Sequence, residues 1–254
     1  MNKFLLPLIF IVSIFIHGCA SVEKIDDKLG AKALYEKANT ALQNGNFQIA
    51  IEHFEKLEIT YPFGIYAKQS QLEIAFAYYR FNESESATAA ADRYIKLYPR
   101  SPDVDYAYYI KGLANFDKTS DSFDNLLGSD PATRDPKSAR DSYQSFSELI
   151  TRFPDSRYSD DALQRMIHLR NYLARHEVHV ARYYLERKAY IAAATRAKFI
   201  IENYTQTPST AEALSIMATA YEELEITDLQ QDTLRILELN YPDYQAPVPD
   251  ENNS

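Results

Sequence analysis

An all-α fold built from stacked helix pairs is predicted by three observations. Apolar residues recur at helical rather than strand spacing along nearly the whole chain. An aromatic residue followed by proline returns as punctuation, at Tyr61-Pro62, Tyr98-Pro99, Phe153-Pro154 and Tyr241-Pro242. Pro62 and Pro99 stand 37 residues apart, as do Thr205 and Pro242, and Tyr204 is in phase although it lacks its proline. A period in the thirties with two helices per unit is the signature of a tetratricopeptide array. The expected architecture is a right-handed α-solenoid of about five tetratricopeptide-like helix pairs.

The pairs follow in order. Unit one offers Ala38 in its first helix, Gly45 at the turn, then Phe47, Ala50, Phe54 and Pro62; unit two offers Ala75, Tyr78, Ala87, Tyr94 and Pro99. Small residues are needed because the two helices of a pair approach closely and a bulky side chain would spread them. Unit three is irregular: a helix near 104–117 and another near 136–153 are separated by KTSDSFDNLLGSDPATRD, which reads as an exposed loop. Unit four opens on residues 159–188, which contain neither Gly nor Pro and place Ala162, Met166, Leu169, Leu173, Val180 and Tyr184 at helical spacing. One long helix is expected there, bracing the N-terminal repeats against the C-terminal pair. Ala181, Tyr184, Tyr190, Ala193, Ala197 and Tyr204 complete unit four, and Ala218, Tyr221, Leu234, Leu237 and Pro242 mark unit five. Repeats one to three thus occupy 30–158 and repeats four and five 159–244, while 245–254 is a proline-containing acidic tail expected to be disordered.

The first 29 residues have a different character. Residues 4–16 are apolar except for Ser13, follow Lys3 and end near Gly18-Cys19, which is the layout of a secretory signal over 1–18. The run is too short to span a bilayer, which takes about 20 apolar residues, and Pro7 interrupts it. Cys19 is the single cysteine of the chain, so an intramolecular disulfide is excluded. Ile16-His17-Gly18-Cys19 resembles the lipobox of bacterial lipoproteins, with His17 departing from the usual small residue. That resemblance implies a diacylglycerol and an N-acyl chain on Cys19, a lipidated tether over 19–29, and, with Ala20 next, the periplasmic face of the outer membrane. Several acyl chains, at about 0.8 kcal/mol per buried methylene, hold a protein firmly to a membrane.

With 46% hydrophobic residues the chain can bury a sizeable core, and its formal charge of -9 makes nucleic acid a poor partner. Catalytic constellations are missing from the sequence. His176 and His179 in ARHEVHV are three apart, whereas the zinc-protease helix HExxH spaces its ligands by four. Residues 117–135 lack the order of a calcium loop, and there is no phosphate-binding loop, dinucleotide fingerprint or nucleophile elbow. No enzyme activity, metal or cofactor beyond the covalent lipid is expected.

Helical arrays of this kind hold peptides or partner domains on the face of their first helices. Projection places Tyr35, Asn39, Gln69, Leu72, Phe76, Tyr79, Tyr106, Tyr109 and Phe116 there, with Lys68, Arg80 and Lys111 nearby. Aromatic walls with a few cations suit an extended peptide ending in an aromatic residue and a carboxylate. The same tyrosines also suit packing between helices, and spacing does not separate the two.

Four segments carry a family resemblance: YPFGIYAKQSQLEIAFAYYR, ADRYIKLYPRSPDVDYAYYIKGLAN, RDPKSARDSYQSFSELI with FPDSRYSDDA, and HEVHVARYYLERKAYIAAATRAK. In order and spacing they resemble the BamD family, the lipoprotein subunit of the outer-membrane β-barrel assembly machinery. The resemblance implies an N-terminal half that receives unfolded outer-membrane proteins through a C-terminal targeting segment, and a C-terminal half that binds periplasmic domains of the barrel-forming core subunit. Accessory lipoproteins of the machinery are further candidate partners. Arg196, in AAATR, matches the family arginine implicated in the core-subunit contact; its alternative is an ordinary exposed helix charge. YPFGIY matches a turn beside the peptide groove, where Pro62 and Gly64 set the bend and Phe63 and Tyr66 face the ligand. The alternative function is that of another periplasmic tetratricopeptide lipoprotein, such as a pilotin for secretins.

Overall fold

The structure is a computed structural model that describes residues 30–119 and 131–246. The signal segment, Cys19 and its tether, residues 120–130 of the expected loop, and 247–254 of the expected tail lie outside the described residues. Ten α-helices and one short 3-10 turn make up the described fold. In chain order they are α1 (Ala31–Gln43), α2 (Phe47–Thr60), α3 (Ile65–Arg80), α4 (Ser84–Leu97), α5 (Val104–Thr119), the 3-10 turn (Pro131–Thr133), α6 (Lys137–Arg152), α7 (Ser159–Glu186), α8 (Tyr190–Asn203), α9 (Ser209–Glu223) and α10 (Thr227–Asn240). Each odd-numbered helix pairs with the next, giving five units, and contacts run mainly between sequence neighbours, as in a quasi-one-dimensional stack.

Small residues make the pairs. Ala38, Ala75, Ala181 and Ala218 of the first helices are buried, as are Ala50, Ala87 and Ala193 of the second. In unit three the corresponding place is held by Gly112 and Ser142, and Ser142 Oγ donates to the Gly112 carbonyl at 2.9 Å. A Cβ on Gly112 would stand 2.3 Å from the Phe146 ring, so this crossing requires glycine.

Both kinds of turn repeat their hydrogen bonds. Between units, the aromatic of each punctuation mark donates its N–H to the carbonyl four residues back: Tyr61 to Leu57, Tyr98 to Tyr94, Phe153 to Leu149, Tyr204 to Ile200 and Tyr241 to Leu237, each at 2.8 Å. Tyr204 therefore closes α8 without the help of proline. Within units one, two, four and five, the second residue past the first helix takes positive φ: Gly45 at 75°, Asn82 at 62°, Lys188 at 58° and Glu225 at 60°. The following N–H reaches the carbonyl five residues back, as in Asn46 to Ala41 and Ile226 to Tyr221, both at 2.9 Å. This is the Schellman closure, for which glycine is the low-cost residue. Three of the four units accept the left-handed strain on another side chain.

Helix α7 runs 28 residues and belongs to two cores. Its first half contributes Ala162, Leu169, Tyr172 and Leu173 to the cluster around Phe146 and Leu149. Its second half contributes Ala174, Val178 and Ala181 to the cluster of α8 and α9. His176 ties the helix to the 3-10 turn by donating from Nδ1 to the Ala132 carbonyl at 2.7 Å.

Two substitutions test this reading. Gly112→Ala lowers stability by about 1–3 kcal/mol, the usual cost of overpacking, read as a fall of several degrees in the thermal melt. Glu225→Gly raises stability by about 0.5–1 kcal/mol by relieving the left-handed residue; an unchanged or lower melting temperature would refute the assigned strain.

Candidate functional site

The first helices α1, α3, α5 and α7 pack side by side and bring Phe76, Tyr79, Tyr106 and Tyr109 onto one wall. At its centre Tyr158, in the link between α6 and α7, lies between two residues of α5. It stacks on Tyr106 with ring centroids 5.1 Å apart. On Tyr109 the separation is 4.7 Å, with ring planes within 19°. Phe76 continues the wall from Tyr106 at 6.3 Å and meets Tyr79 at 6.4 Å. In the other direction Tyr109 reaches Phe146, and Phe146 reaches Phe116. Tyr158 was not among the sequence candidates, since it sits outside both helices and only the tertiary fold places it between them.

Polar partners lock the rings. Tyr109 donates its hydroxyl to Asp161 Oδ2 at 2.6 Å, and the same oxygen accepts from Arg165 Nε at 2.6 Å. Arg165 also lies over the Phe116 ring, 4.8 Å from its centroid. Burial pushes the Tyr109 hydroxyl up to about 12, with Asp161 adding to the shift. The Asp161 carboxyl falls below its ordinary value because the bonds from Arg165 and Tyr109 outweigh its partial burial. Burial likewise raises Tyr79 to about 12, helped by Asp117. These phenols stay protonated at physiological pH with their O–H groups held by Asp161 and Asp117, so the tyrosines of the wall are neutral and present mainly ring surface.

A second group sits at the N-terminal end. Tyr35 of α1 contacts Tyr66 of α3 at 5.3 Å and Phe54 of α2 at 6.3 Å. Its hydroxyl donates to Glu73 Oε1 at 2.6 Å, while Glu73 Oε2 is buried with no hydrogen-bond partner among the described residues. Burial raises the Glu73 carboxyl above its ordinary value, and the bond from Tyr35 offsets part of the rise. Glu73 also lies close enough to Tyr106 to help raise that phenol, so it links the two aromatic groups. Arg80 stacks over Phe47 at 4.9 Å and Phe76 at 5.7 Å, placing one cation at the edge of the wall.

The structure thus gathers Phe76, Tyr79, Arg80, Tyr106 and Tyr109, sets Tyr35 and Tyr66 together at one end, and leaves Phe63 apart. Phe63 is 89% exposed in the link between α2 and α3 and makes no ring contact among the described residues. Arg196, on α8, pairs through Nη1 with Glu177 Oε2 of α7 at 3.1 Å. The Glu177 side chain is 8% exposed and the Arg196 side chain 45%, so the arginine neutralises a buried carboxylate while keeping a solvent-facing side. Among the described residues no group of three or more His, Cys, Asp or Glu is placed to hold a metal ion. Among them, too, no helix is long and apolar enough to cross a membrane.

Stacked helix pairs with a ring-lined inner row define a tetratricopeptide-like binding scaffold, a class whose chemistry is to hold other chains. Residues 27–236 match the family model YfiO, described as outer membrane lipoprotein, and the chain belongs to that family. Relatives carrying the name outer membrane protein assembly factor BamD agree along most of the chain. The protein of Neisseria gonorrhoeae is 42% identical over 86% of this chain and 82% of its own. That of Neisseria meningitidis serogroup B is 40% identical over 95% and 92%, and that of Xylella fastidiosa Temecula1 is 34% identical over 94% and 83%.

Glu73 yields a pH prediction. Its folded value lies above that of the unfolded chain, so the folded state binds the proton more tightly. Stability contributed by this group is then lost as pH rises from the unfolded value, about 4.3, through the folded one. Wild type should lose stability relative to Glu73→Gln between pH 4 and pH 7 in paired thermal melts. A constant difference across that range would remove the assignment.

Proposed function

We infer that this protein is an outer-membrane protein assembly factor, the lipoprotein scaffold of a β-barrel assembly machinery. The observation that carries the reading is the stacked tyrosine wall in a chain whose relatives bear that name over nearly their full length. The N-terminal units hold unfolded outer-membrane proteins: an extended segment lays aromatic side chains against Phe76, Tyr79, Tyr106 and Tyr109, and its terminal carboxylate meets Arg80. Phe63 and Tyr66 extend that contact at the turn before α3. The C-terminal units hold the periplasmic domains of the barrel-forming core subunit through Arg196, whose paired but solvent-facing guanidinium suits an acidic residue of the partner. Accessory lipoproteins join through surfaces left free. A diacylglycerol and an N-acyl chain on Cys19 fix the protein to the periplasmic face of the outer membrane.

Affinity capture through a C-terminal tag tests the function. Recovery of the barrel-forming subunit is expected, and recovery of a secretin without it would establish the pilotin alternative instead. For the wall, combining Tyr79→Ala with Tyr109→Ala should reduce crosslinking to a peptide ending in Phe by about tenfold. Undiminished crosslinking with an intact melt would make those rings core residues only.

A further inference from the structure

A second recognition element lies where α6, α7 and α8 meet. A cleft of about 280 Å³ is lined by Arg140 and Tyr143 of α6, Arg170 of α7, and Asn203 and Tyr204 at the end of α8, over Leu173 and Phe199. No carboxylate is among its lining residues. Arg140 is exposed and forms no ion pair among the described residues. Arg170 is anchored by the carbonyl and hydroxyl of Thr205, both neutral, so its charge is positioned but not balanced. Asn203 is fixed by its bond to the Phe199 carbonyl at 2.9 Å. The hydroxyls of Tyr143 and Tyr204 make no hydrogen bond among the described residues, and both residues line the cleft with Arg140; burial raises the Tyr204 phenol, Glu177 adds to the rise and Arg140 offsets part of it. By contrast, in the larger cleft of about 710 Å³ between α4, α5 and α6 both lysines are already paired, Lys111 with Asp92 and Lys137 with Asp141.

A site with two guanidiniums, two phenol donors and an apolar floor selects an anion, and its small volume admits one acidic side chain rather than a helix. The overall charge of -9 makes such a local cationic cleft stand out. It also continues the Arg196 contact: Arg196, Phe199 and Asn203 form one stripe of α8 at i, i+3 and i+7. On α7, Glu177, the partner of Arg196, lies one turn beyond Leu173. We propose that the cleft is a carboxylate socket that takes an aspartate or glutamate side chain of the same partner domain that meets Arg196. The partner then presents a second acid beside the one that meets Arg196. This rests on the reading that the C-terminal units bind the barrel-forming subunit.

The test uses the full chain and the purified periplasmic domains of the barrel-forming subunit from the same bacterium, titrated calorimetrically at low and physiological salt. Arg140→Glu should weaken binding about tenfold and flatten its salt dependence, with an unchanged thermal melt. A photo-crosslinker in place of Tyr143 should attach to a partner segment containing Asp or Glu, and replacing that acid by Lys should restore affinity for Arg140→Glu. Binding within twofold of wild type, or crosslinks only to lipid or to a segment without acids, overturns the socket. Arg196→Gln separates the two readings. If it weakens binding while Arg140→Glu does not, the socket alone falls; if neither variant has an effect, the partner assignment falls with it.

Discussion

The closeness with which two helices of a pair can approach is the constraint from which this architecture follows. Packed helix axes lie about 8–10 Å apart according to the side chains at the crossing, and they come closest where those side chains are small. Here the crossing is Ala on Ala in units one, two and four and Gly112 on Ser142 in unit three. Nothing larger than the hydroxymethyl group of Ser142 stands at these points, so the bulky residues a turn away, Phe54 and Phe146, are driven into the seam and are fully buried. The pair geometry sets the stacking of pairs, and the stacking sets which residues of α1, α3, α5 and α7 share a face. The tyrosine wall is thus a secondary product of alanine and glycine positions that never touch a ligand.

Much of this was legible in the sequence because local physics controls it. An aromatic-proline mark ends a helix whatever surrounds it, since proline cannot continue one and restrains the residue before it. The unit count followed from those marks, and helical spacing gave the long helix beginning at Ser159 and the aromatic candidates. What escaped reading depends on long-range placement. Gly112 stands 37 residues after Ala75, and Ser142 stands 12 before Pro154 as Ala50 and Ala87 stand 12 before Pro62 and Pro99, but the insertion between them hid that the two meet at one crossing. Asn82, Lys188 and Glu225 do not announce a left-handed turn as Gly45 does; two backbone hydrogen bonds impose it on them. Tyr158 and Asp161 belong to the wall only because α7 returns across α5, and no periodicity encodes that return.

The charge pattern follows the same division. Arg196 was recognisable by its segment, whereas its pairing with buried Glu177 required the structure. That pairing explains HEVH without metal chemistry: His176 bonds a carbonyl and Glu177 accepts an arginine. A buried carboxylate such as that of Glu177 is costly unless paired. The pair lies inside unit four, where it joins α7 to α8 by charge as well as by packing.

Because α7 contributes to two cores, it acts as a rigid beam about 42 Å long at 1.5 Å per residue for its 28 residues. Asp161 and Arg165, which hold the tyrosine wall, are near one end; Glu177 and Arg182, which face α8 and α9, are near the other. A tilt of one degree about its middle moves each end by about 0.4 Å, and in opposite directions. The two ends therefore cannot be displaced independently. The helix serves as a fixed gauge between the tyrosine wall of the N-terminal units and the Glu177–Arg196 pair of the C-terminal ones.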